Sequence, residues 1–507
     1  MGLEAIFRAA VRQNGKKTAV VNKRQRITYQ NLDIRSTRIG GVIRDILGVE
    51  QKKVLILAHN SIPVLEVILG CFKVNAVACP INWRLSPYEL STILQQEKFE
   101  LIFYDKETCT TLHQALDLCE IQITKVRLGG LKYQSMMEFL VYDQRQMEED
   151  VRRNIGDIAI QYFTSGTTGI PKGVLLTHES LRQYFESYTR CSVWDKDDVY
   201  QTSANLFHLS GFSALISLLL GNTLVLMDRF DLYDFLDTME REHTTRVSLV
   251  PTLITNILHC SRFSEYDFSS VRKIVYGGAT MLPAQIEEAS KRLSCQLEIA
   301  YGTTETCCIS ALTAEDHQRI LMGVLPEEKL SSVGKPLPEV AVRICDQDGK
   351  EMETGEKGEI TVKSPFLYQG YSNAAAAPAL DADGYHHTGD IGFRDTDGYV
   401  YIVDRKHDMI VCGGENIYPK EVEICISKMA NCVRQVGVVG KADPVWGEIV
   451  VAFVVRQRGA SVTEEDIISF CKHNIASYKK PKKVVFLEEM PLNSNGKIDK
   501  QALRAML

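Results

Sequence analysis

The sequence lacks the features that mark several classes of protein. No Cys-x-x-Cys pair occurs among its 14 cysteines, and the one close pair, Cys307-Cys308, is adjacent, which does not suit a zinc knuckle. The longest apolar run, residues 215–220, is far shorter than the ~18–20 residues of a membrane-spanning helix. The N-terminus has no basic segment followed by an apolar one, so no secretory signal peptide is expected. These absences predict a cytoplasmic protein whose cysteines are reduced and structural.

A basic excess is also missing. The chain has 58 Lys and Arg residues against 64 Asp and Glu residues, a net charge of −6. Proteins that bind nucleic acid through its phosphates carry a basic excess or stripe, so no nucleic-acid partner is expected. The apolar content of 45% and the charged content of 24% are those of a globular protein. A length of 507 residues is enough for several domains.

The pattern along the chain predicts an α/β fold. Short apolar runs such as 54–57, 101–104 and 158–163 alternate with amphipathic helical stretches over the first 400 residues or so, which is typical of parallel sheets covered by helices. Asp-Gly turns then predict a small β-rich subdomain near 340–403. A final segment of about 100 residues has strands and helices of its own. We therefore expect an N-terminal domain over residues 1–404 and a small α+β domain over 405–507.

A glycine-rich segment follows the strand expected at 158–163. It reads Thr164-Ser165-Gly166-Thr167-Thr168-Gly169-Ile170-Pro171-Lys172-Gly173. Glycines let the backbone approach an anion, hydroxyl and main-chain N–H groups can surround phosphate oxygens, and Lys172 adds a positive charge. The spacing is not that of a Walker A loop. The segment predicts a phosphate-binding loop, and a polar turn without a ligand is the alternative.

Two further glycine-containing loops are expected after later strands. They read Tyr276-Gly277-Gly278-Ala279 and Tyr301-Gly302-Thr303-Thr304-Glu305. Loops at the carboxyl ends of parallel strands converge on one crevice, where open α/β sheets bind ligands. Glu305 is the single carboxylate of the loop 301–305 and could hold Mg²⁺ beside phosphates. A solvated surface charge is the alternative for this residue.

Groups that suit a ribose follow in the sequence. Asp390, in Thr388-Gly389-Asp390, could accept hydrogen bonds from both ribose hydroxyls, and Arg405 could donate to the same sugar. Taken alone, Asp390 also fits an ordinary turn residue.

Together these segments resemble the adenylate-forming superfamily, which contains acyl- and aryl-CoA synthetases, firefly luciferase and the adenylation domains of peptide synthetases. The motifs that carry the resemblance are the segments 164–173, 301–305, 388–390 and 404–423 and the C-terminal Asn495-Gly496-Lys497. The resemblance implies a large N-terminal domain and a small mobile C-terminal domain that carries a catalytic lysine. It also implies ATP and CoA as co-substrates and Mg²⁺ as a cofactor.

The resemblance implies a role for each matching residue. The residues expected to bind ATP or AMP are Thr164, Ser165, Gly166, Thr167, Thr168, Gly169, Lys172, Gly277, Gly278, Ala279, Tyr301, Gly302, Thr303, Thr304, Asp390 and Arg405. Those expected to take part in catalysis are Lys497, which would reach the α-phosphate and the carboxylate of the acid, Glu305, which would carry Mg²⁺, His208 and Thr164.

The segment Phe207-His208-Leu209-Ser210 bears on the branch of the superfamily. Amino-acid-activating members have an Asp in the comparable segment, which holds the α-ammonium group, and here no carboxylate is available. His208 instead resembles the residue that gates the acid pocket of acyl- and aryl-CoA ligases, with a core histidine as the alternative. Asn205 departs from the family pattern, in which Pro is common at this position, so the entry angle of the segment is open.

Further residues are expected in the acid pocket, at the CoA site and at the hinge. The acid pocket should include His208, Phe212, Gly278 and Gly302. The CoA site should include Arg84, Gly413, Gly414 and Trp446, with an ordinary surface charge as the alternative for Arg84. The hinge between the domains should lie at His407, where Asp or Lys is usual.

The function that the resemblance implies is that of an ATP-dependent carboxylic acid–CoA ligase. A fatty acid would attack the α-phosphate of Mg·ATP to give acyl-AMP and pyrophosphate, and the thiol of CoA would then attack the acyl-AMP. An aromatic acid such as benzoate or o-succinylbenzoate is the alternative substrate. A ligase that loads a carrier protein and a luciferase-like monooxygenase are further alternatives. The expected partners are the small-molecule acid, ATP and CoA, and a homodimer is possible.

Overall fold

A computed structural model of the chain describes residues 2–48, 51–139, 154–164, 171–278, 281, 283–372, 380–406, 408–412, 415–493 and 497–507. Within these ranges the α-helices are α1 (Leu3–Asn14), α2 (Tyr29–Leu47), α3 (Ile62–Val74), α4 (Pro87–Glu97), α5 (Cys109–Cys119), α6 (Leu131–Phe139), α7 (His178–Cys191), α8 (Phe212–Leu219), α9 (Leu232–Arg241), α10 (Pro251–Leu258), α11 (Pro283–Leu293), α12 (Ala314–Leu321), α13 (Pro419–Ser427), α14 (Glu464–Asn474) and α15 (Lys500–Ala505). No helix of the described part of the chain is long and apolar enough to cross a membrane.

Helix α4 shows how local sequence sets an element. The Ser86 hydroxyl accepts a hydrogen bond from the backbone N–H of Glu89, and the Glu89 carboxylate accepts one from the backbone N–H of Ser86. Pro87 occupies the first turn, where its missing N–H leaves no gap in the hydrogen bonding. This capping box is the one that the sequence Ser-Pro-Tyr-Glu predicts.

The sheet that carries the glycine-rich segment has seven strands. In spatial order they are β18 (Gly370–Tyr371), β8 (Lys172–Thr177), β7 (Ile158–Thr164), β4 (Val77–Pro80), β3 (Lys53–Leu57), β5 (Leu101–Tyr104) and β6 (Thr124–Arg127). The strands from β7 to β6 are parallel, whereas β8 and β18 are antiparallel additions at one edge. The glycine-rich segment therefore joins two antiparallel neighbours instead of leading into a helix.

A second sheet has nine strands. In spatial order they are β15 (Lys335–Pro336), β14 (Cys307–Leu312), β13 (Gln296–Thr303), β12 (Lys273–Gly277), β11 (Arg246–Leu249), β9 (Val199–Thr202), β10 (Thr223–Leu226), β1 (Thr18–Val21) and β2 (Arg26–Thr28). Its six central strands are parallel and its edges are antiparallel.

The nine-stranded sheet corrects the expectation that residues 301–305 form a loop. Tyr301, Gly302 and Thr303 lie in β13 itself, and the turn is confined to residues 304–306. The strand is longer than expected because β14 returns beside it and pairs Tyr301 with Ser310 and Thr303 with Cys307.

The β-rich subdomain is a four-stranded antiparallel sheet. Its strands, in spatial order, are β16 (Ala341–Cys345), β17 (Gly358–Lys363), β19 (His386–Arg394) and β20 (Val400–Arg405). The Asp397-Gly398 turn joins β19 to β20, with Gly398 at φ +86°, a conformation that favours glycine. The alternative of an ordinary turn residue at 390 is wrong, since Asp390 lies inside β19 opposite Arg405 of β20.

The C-terminal part forms a sheet and a core of its own. The sheet contains β22 (Glu415–Ile417), β21 (Ile410–Cys412), β24 (Gly447–Arg456) and β23 (Val433–Asp443), with β25 (Lys483–Leu487) parallel to β24. Its apolar clusters contain only residues from 410 onward, whereas the main core of the N-terminal part runs from Leu3 to Val400. The α/β fold of a large N-terminal and a small C-terminal domain is thus confirmed. Strand β20 ends at Arg405, one residue beyond the predicted boundary.

Candidate active site

A cavity of about 200 Å³ opens where the nine-stranded sheet, the four-stranded sheet and the small domain meet. Its wall is formed by Gly278, Ile299, Ala300, Tyr301, Gly302, Val333, Asp390, Ile402, Val403, Asp404, Arg405, Lys420 and Lys497. The members that the sequence analysis singled out are Gly278, Tyr301, Gly302, Asp390, Arg405 and Lys497. The fold therefore brings residues more than 200 positions apart in the chain to one cavity.

The other wall residues were missed because most of them are apolar residues within strands. In a sequence, Ile299 and Val403 look like ordinary core residues. The signal that could have found them is adjacency, because each lies two positions before a polar residue of the site, Tyr301 and Arg405. Alternate residues of a strand share a face, so neighbours at this spacing share the wall.

One end of the cavity is a hydrogen-bonded group of three polar residues. The Tyr301 hydroxyl donates to Oδ2 of Asp390 at 2.7 Å, and Nε of Arg405 lies 2.7 Å from Oδ1. Asp390 is buried and Tyr301 nearly so, while Arg405 is partly exposed. Burial, followed by the nearby Asp390 carboxylate, raises the pKa of Tyr301 far above its usual value, so its hydroxyl stays protonated. This end presents a fixed carboxylate and a fixed cation.

Lys497 reaches the cavity from the small domain and lies against Gly278. A Cβ at Gly278 would come within 2.9 Å of Cε and 3.2 Å of Nζ of Lys497, and Gly278 also has φ +78°. A side chain at Gly278 would therefore be strained and would displace the lysine. Burial, followed by the charge of Arg405, lowers the pKa of Lys497, and Asp390 acts in the opposite direction.

A short loop holds Lys497 in this position. The backbone N–H of Asn493 donates to the Lys497 carbonyl at 2.7 Å, and the Lys497 N–H donates to Oδ1 of Asn493 at 3.1 Å. Leu492 and Ile498 pair on either side as an antiparallel bridge. Asn495 and Gly496 lie outside the described residues.

Residues expected at the phosphates lie on the seven-stranded sheet and on the turn after β13. Thr164 and Lys172 face each other at the ends of β7 and β8. Glu305 accepts a hydrogen bond from the Tyr371 hydroxyl at Oε1, 3.1 Å away. Residues 165–169 of the glycine-rich segment lie outside the described residues. Thr303 closes the end of β13, where its N–H donates to the Thr306 hydroxyl at 3.0 Å, and Thr304 begins the turn.

His208 precedes a short 3₁₀ helix, Leu209–Gly211, which leads into α8. Its Nε2 is buried and has no hydrogen-bond partner among the described residues. Burial, together with the positive charges of Arg84 and Lys497, lowers the pKa of His208 to about 4. The imidazole is therefore neutral at pH 7. Phe212, expected in the same pocket, is fully buried and packs on Tyr184 with ring centroids 5.8 Å apart.

Arg84 and Trp446, which are expected to bind CoA, do not belong to the wall of the cavity. The Arg84 guanidinium stacks on Trp83, 4.1 Å from the ring centroid, and acts on the pKa of His208. Trp446 lies on the turn before β24, where 48% of its surface is exposed and the Lys482 ammonium lies 5.2 Å from its ring centroid. Four residues with expected roles lie outside the described part of the chain: Ala279 of the loop 276–279, His407 at the expected hinge, Gly413 and Gly414.

The chain is similar to known proteins over most of its length. Residues 7–372 match the model of the family described as AMP-binding enzyme, and residues 421–497 match the AMP-binding enzyme C-terminal domain. An indoleacetate–CoA ligase of Aromatoleum aromaticum is 30% identical over 97% of this chain and 95% of its own. The fatty acid–[acyl-carrier-protein] ligase ScoC of Streptomyces coeruleorubidus is 31% identical over 96% of this chain and 92% of its own.

Among solved structures, the o-succinylbenzoate CoA synthetase of Bacillus subtilis, in complex with its acyl-adenylate intermediate, superposes with a TM-score of 0.83. It is 28% identical, over 98% of this chain and 97% of the other. The chain therefore belongs to the family of AMP-binding enzymes, within the adenylate-forming superfamily that the motifs indicate. It is an AMP-forming acid–thiol ligase for which a carboxylic acid, ATP and CoA are the substrates.

Proposed function

We propose that the enzyme activates a fatty acid as acyl-AMP and transfers the acyl group to CoA. The observation that carries the adenylation step is the half-buried side chain of Lys497, which meets the Asp390–Arg405 pair and Gly278 in one cavity. A carboxylate and a triphosphate repel each other, so a cation fixed between them lowers the barrier to attack. An aromatic acid is the second candidate substrate, favoured by the indoleacetate and o-succinylbenzoate ligases among the relatives.

The cavity is proposed to bind the ribose and the adenine of ATP. Asp390 accepts the ribose hydroxyls, Arg405 donates to the same sugar, and Tyr301 with Gly277 and Gly278 borders adenine. Asp390 supports this role because its carboxylate is buried and held from both sides. A ligand held by preorganised groups binds with less loss of entropy than one that must order them.

The phosphates are proposed to lie between the glycine-rich segment, with Thr164 and Lys172, and Glu305. Glu305 suits Mg²⁺ by the chemistry of its donor, because carboxylate oxygens are the ligands that Mg²⁺ prefers. Tyr371 occupies Oε1, and among the described residues no donor contacts Oε2. When bound there, Mg²⁺ neutralises charge that develops on the phosphate oxygens.

His208 is proposed to border the acid pocket. Its ring is neutral and its Nε2, which has no partner in the described part of the chain, can hydrogen-bond to a carboxylate. No carboxylate side chain follows in 209–213 to hold an ammonium group. This arrangement supports a simple acid over an amino acid. Phe212 as a pocket wall stays a prediction.

For the second half-reaction we propose a rotation of the small domain about His407, with the domain boundary near residues 404 and 405. The rotation would withdraw Lys497 and bring Gly413, Gly414 and Trp446 toward Arg84, where CoA would bind. The separation of Trp446 from the cavity is consistent with a role that needs a second arrangement of the domains. A cytoplasmic location and a homodimer stay predictions.

The test is a screen of pyrophosphate release and ATP–pyrophosphate exchange. Saturated fatty acids of several lengths, benzoate, indoleacetate, o-succinylbenzoate and the proteinogenic amino acids are each supplied with and without CoA. We expect exchange with at least one fatty acid and formation of its CoA thioester. Exchange with aromatic acids alone would replace the fatty acid by the second candidate, and exchange with any amino acid would overturn the proposal.

A further inference from the structure

Tyr371 contacts both Lys172, which is proposed to lie at the phosphates, and Glu305, which is proposed to bind Mg²⁺. It pairs with Val174 across β18 and β8, so its side chain is on the same face of the sheet as Val174 and, two residues earlier, Lys172. The Lys172 ammonium consequently lies over the Tyr371 ring, 5.3 Å from its centroid. This distance is within the range of a cation–π interaction.

The same short segment holds Glu305 at two points. The Tyr371 hydroxyl donates to the carboxylate at 3.1 Å, and the backbone N–H of Tyr368 donates to the Glu305 carbonyl at 2.8 Å. One oxygen of the carboxylate is thus fixed in direction, which also fixes the direction of the other.

We infer that Tyr371 is a positioning residue that joins the cation and the carboxylate of the phosphate end into one unit. Its hydroxyl orients Glu305 and its ring supports Lys172. The inference rests on the proposed function, since it takes Glu305 as the residue that meets Mg²⁺. Because Lys172 belongs to the seven-stranded sheet and Glu305 to a turn of the nine-stranded sheet, Tyr371 links ligands that the backbone alone does not connect.

The experiment measures ATP binding by isothermal titration calorimetry, once with excess Mg²⁺ and once with EDTA, with no carboxylic acid present. The ratio of the two dissociation constants gives the gain in affinity that Mg²⁺ provides. Tyr371→Phe removes the hydroxyl and keeps the ring. We expect the Mg²⁺-dependent gain to fall by about three- to tenfold, the range for the loss of one ordinary hydrogen bond, while affinity in EDTA stays within about twofold of the wild type.

Three further variants make the result specific. Tyr401→Phe is the matched control, because its hydroxyl also donates to a carboxylate at 3.1 Å, that of Asp395, away from the cavity wall. Tyr371→Leu removes the ring as well and should weaken ATP binding in EDTA by about two- to fivefold through Lys172. Glu305→Gln should abolish most of the Mg²⁺-dependent gain, and adding Tyr371→Phe to it should change nothing more.

The inference is overturned if Tyr371→Phe keeps the Mg²⁺-dependent gain of the wild type, weakens ATP equally in both conditions, or adds its full effect to that of Glu305→Gln. A different pattern marks a failure of the proposed function itself. In that case Glu305→Gln leaves the gain unchanged, and the inference falls with it. Thermal unfolding of each variant shows whether a loss of binding comes from a loss of folding.

Discussion

The nucleoside end and the phosphate end of the proposed ATP site are built differently. At the nucleoside end Tyr301, Asp390 and Arg405 lie in paired strands and are joined by contacts of 2.7 Å. At the phosphate end Glu305 lies on a turn and Lys172 at the start of a strand, and among the described residues Tyr371 is the one that contacts both. A residue within a paired strand is fixed by the hydrogen bonds of its neighbours, whereas a turn residue has fewer constraints.

The difference suits the two fates of ATP in the reaction. AMP stays bound through both half-reactions as part of acyl-AMP, while pyrophosphate must leave after the first. We expect the nucleoside end to be the more rigid of the two before ATP binds. The predictions below test this contrast, from the largest expected effect to the smallest.

Replacement of Lys497 should lower activity more than any other substitution considered. Lys497→Ala removes a cation from a half-buried position beside the nucleoside end, where charge develops during attack. Loss of one such preorganised group lowers the rate by about 10²–10³ and a full charge can lower it more. We expect acyl-AMP synthesis to fall by at least this factor, measured by ATP–pyrophosphate exchange.

The same variant should still convert supplied acyl-AMP and CoA into thioester, because Lys497 is proposed to serve only the first half-reaction. Lys472→Ala, at an exposed position of helix α14, is the control and should leave both steps intact. Equal loss of both steps in Lys497→Ala would show that the division of labour is wrong.

The hinge gives the next prediction. His407→Pro fixes φ near −65° and should block the rotation between the two domain arrangements. Acyl-AMP formation should survive and thioester formation should fall by orders of magnitude, measured as separate single-turnover rates. His407→Ala leaves the backbone free and should retain both steps; a parallel decline in the proline variant would mean that residue 407 is not the pivot.

Most of this architecture could be predicted from sequence because motifs with unusual composition mark it. The glycine pair before Ala279, the Tyr301–Glu305 segment and Lys497 stand out by residue type and spacing, and the cavity contains Gly278, Tyr301 and Lys497. The strand periods near 54 and 101 likewise predicted β3 and β5 within one residue.

What could not be predicted depends on contacts between distant segments. The length of β13 is set by its pairing with β14, and Asp390 is buried because β20 pairs beside it. Neither pairing can be predicted from the neighbouring residues in the sequence. Tyr371 was missed for the same reason. Its neighbours give no sign that it contacts Glu305, 66 positions earlier in the chain.

A matched pair of variants compares the stability of the two ends. In Asp390→Asn an amide can accept only one of the two hydrogen bonds that the buried carboxylate accepts, so we expect the free energy of unfolding to fall by about 1–3 kcal/mol. In Glu305→Gln the side chain is less buried and has one side-chain partner among the described residues, so we expect the free energy of unfolding to change by less than about 0.5 kcal/mol. Urea denaturation of both variants without ligand checks this.

The contrast between the ends would fail if both variants lost the same stability. Adding Mg²⁺ and ATP sharpens the test, because ligand binding to the folded state raises its stability. The stabilisation by ATP should drop in both variants, whereas only Glu305→Gln should lose the part that depends on Mg²⁺.

The smallest expected effect concerns the acid pocket at His208. It tests whether water is excluded from this pocket in the free enzyme. Burial, with Arg84 and Lys497, lowers the pKa of His208 to about 4 from an ordinary value of 6.5. Above pH 6.5 the imidazole is neutral in both the folded and the unfolded chain, so it adds no pH dependence. Between pH 6.5 and 4 the unfolded chain takes up a proton that the folded chain does not, and stability falls as the pH falls.

The wild type should therefore lose roughly 1–2 kcal/mol more stability than His208→Gln between pH 7.5 and pH 5. Urea denaturation of the two proteins at both pH values measures the difference. His317 and His386, whose pKa values burial also lowers, are present in both proteins and cancel in the comparison. Equal losses would mean that water reaches His208 and that the pocket is open to solvent in the free enzyme. A larger loss of stability in the wild type would support a pocket from which water is excluded. Its neutral imidazole could then hydrogen-bond to the carboxylate of the acid.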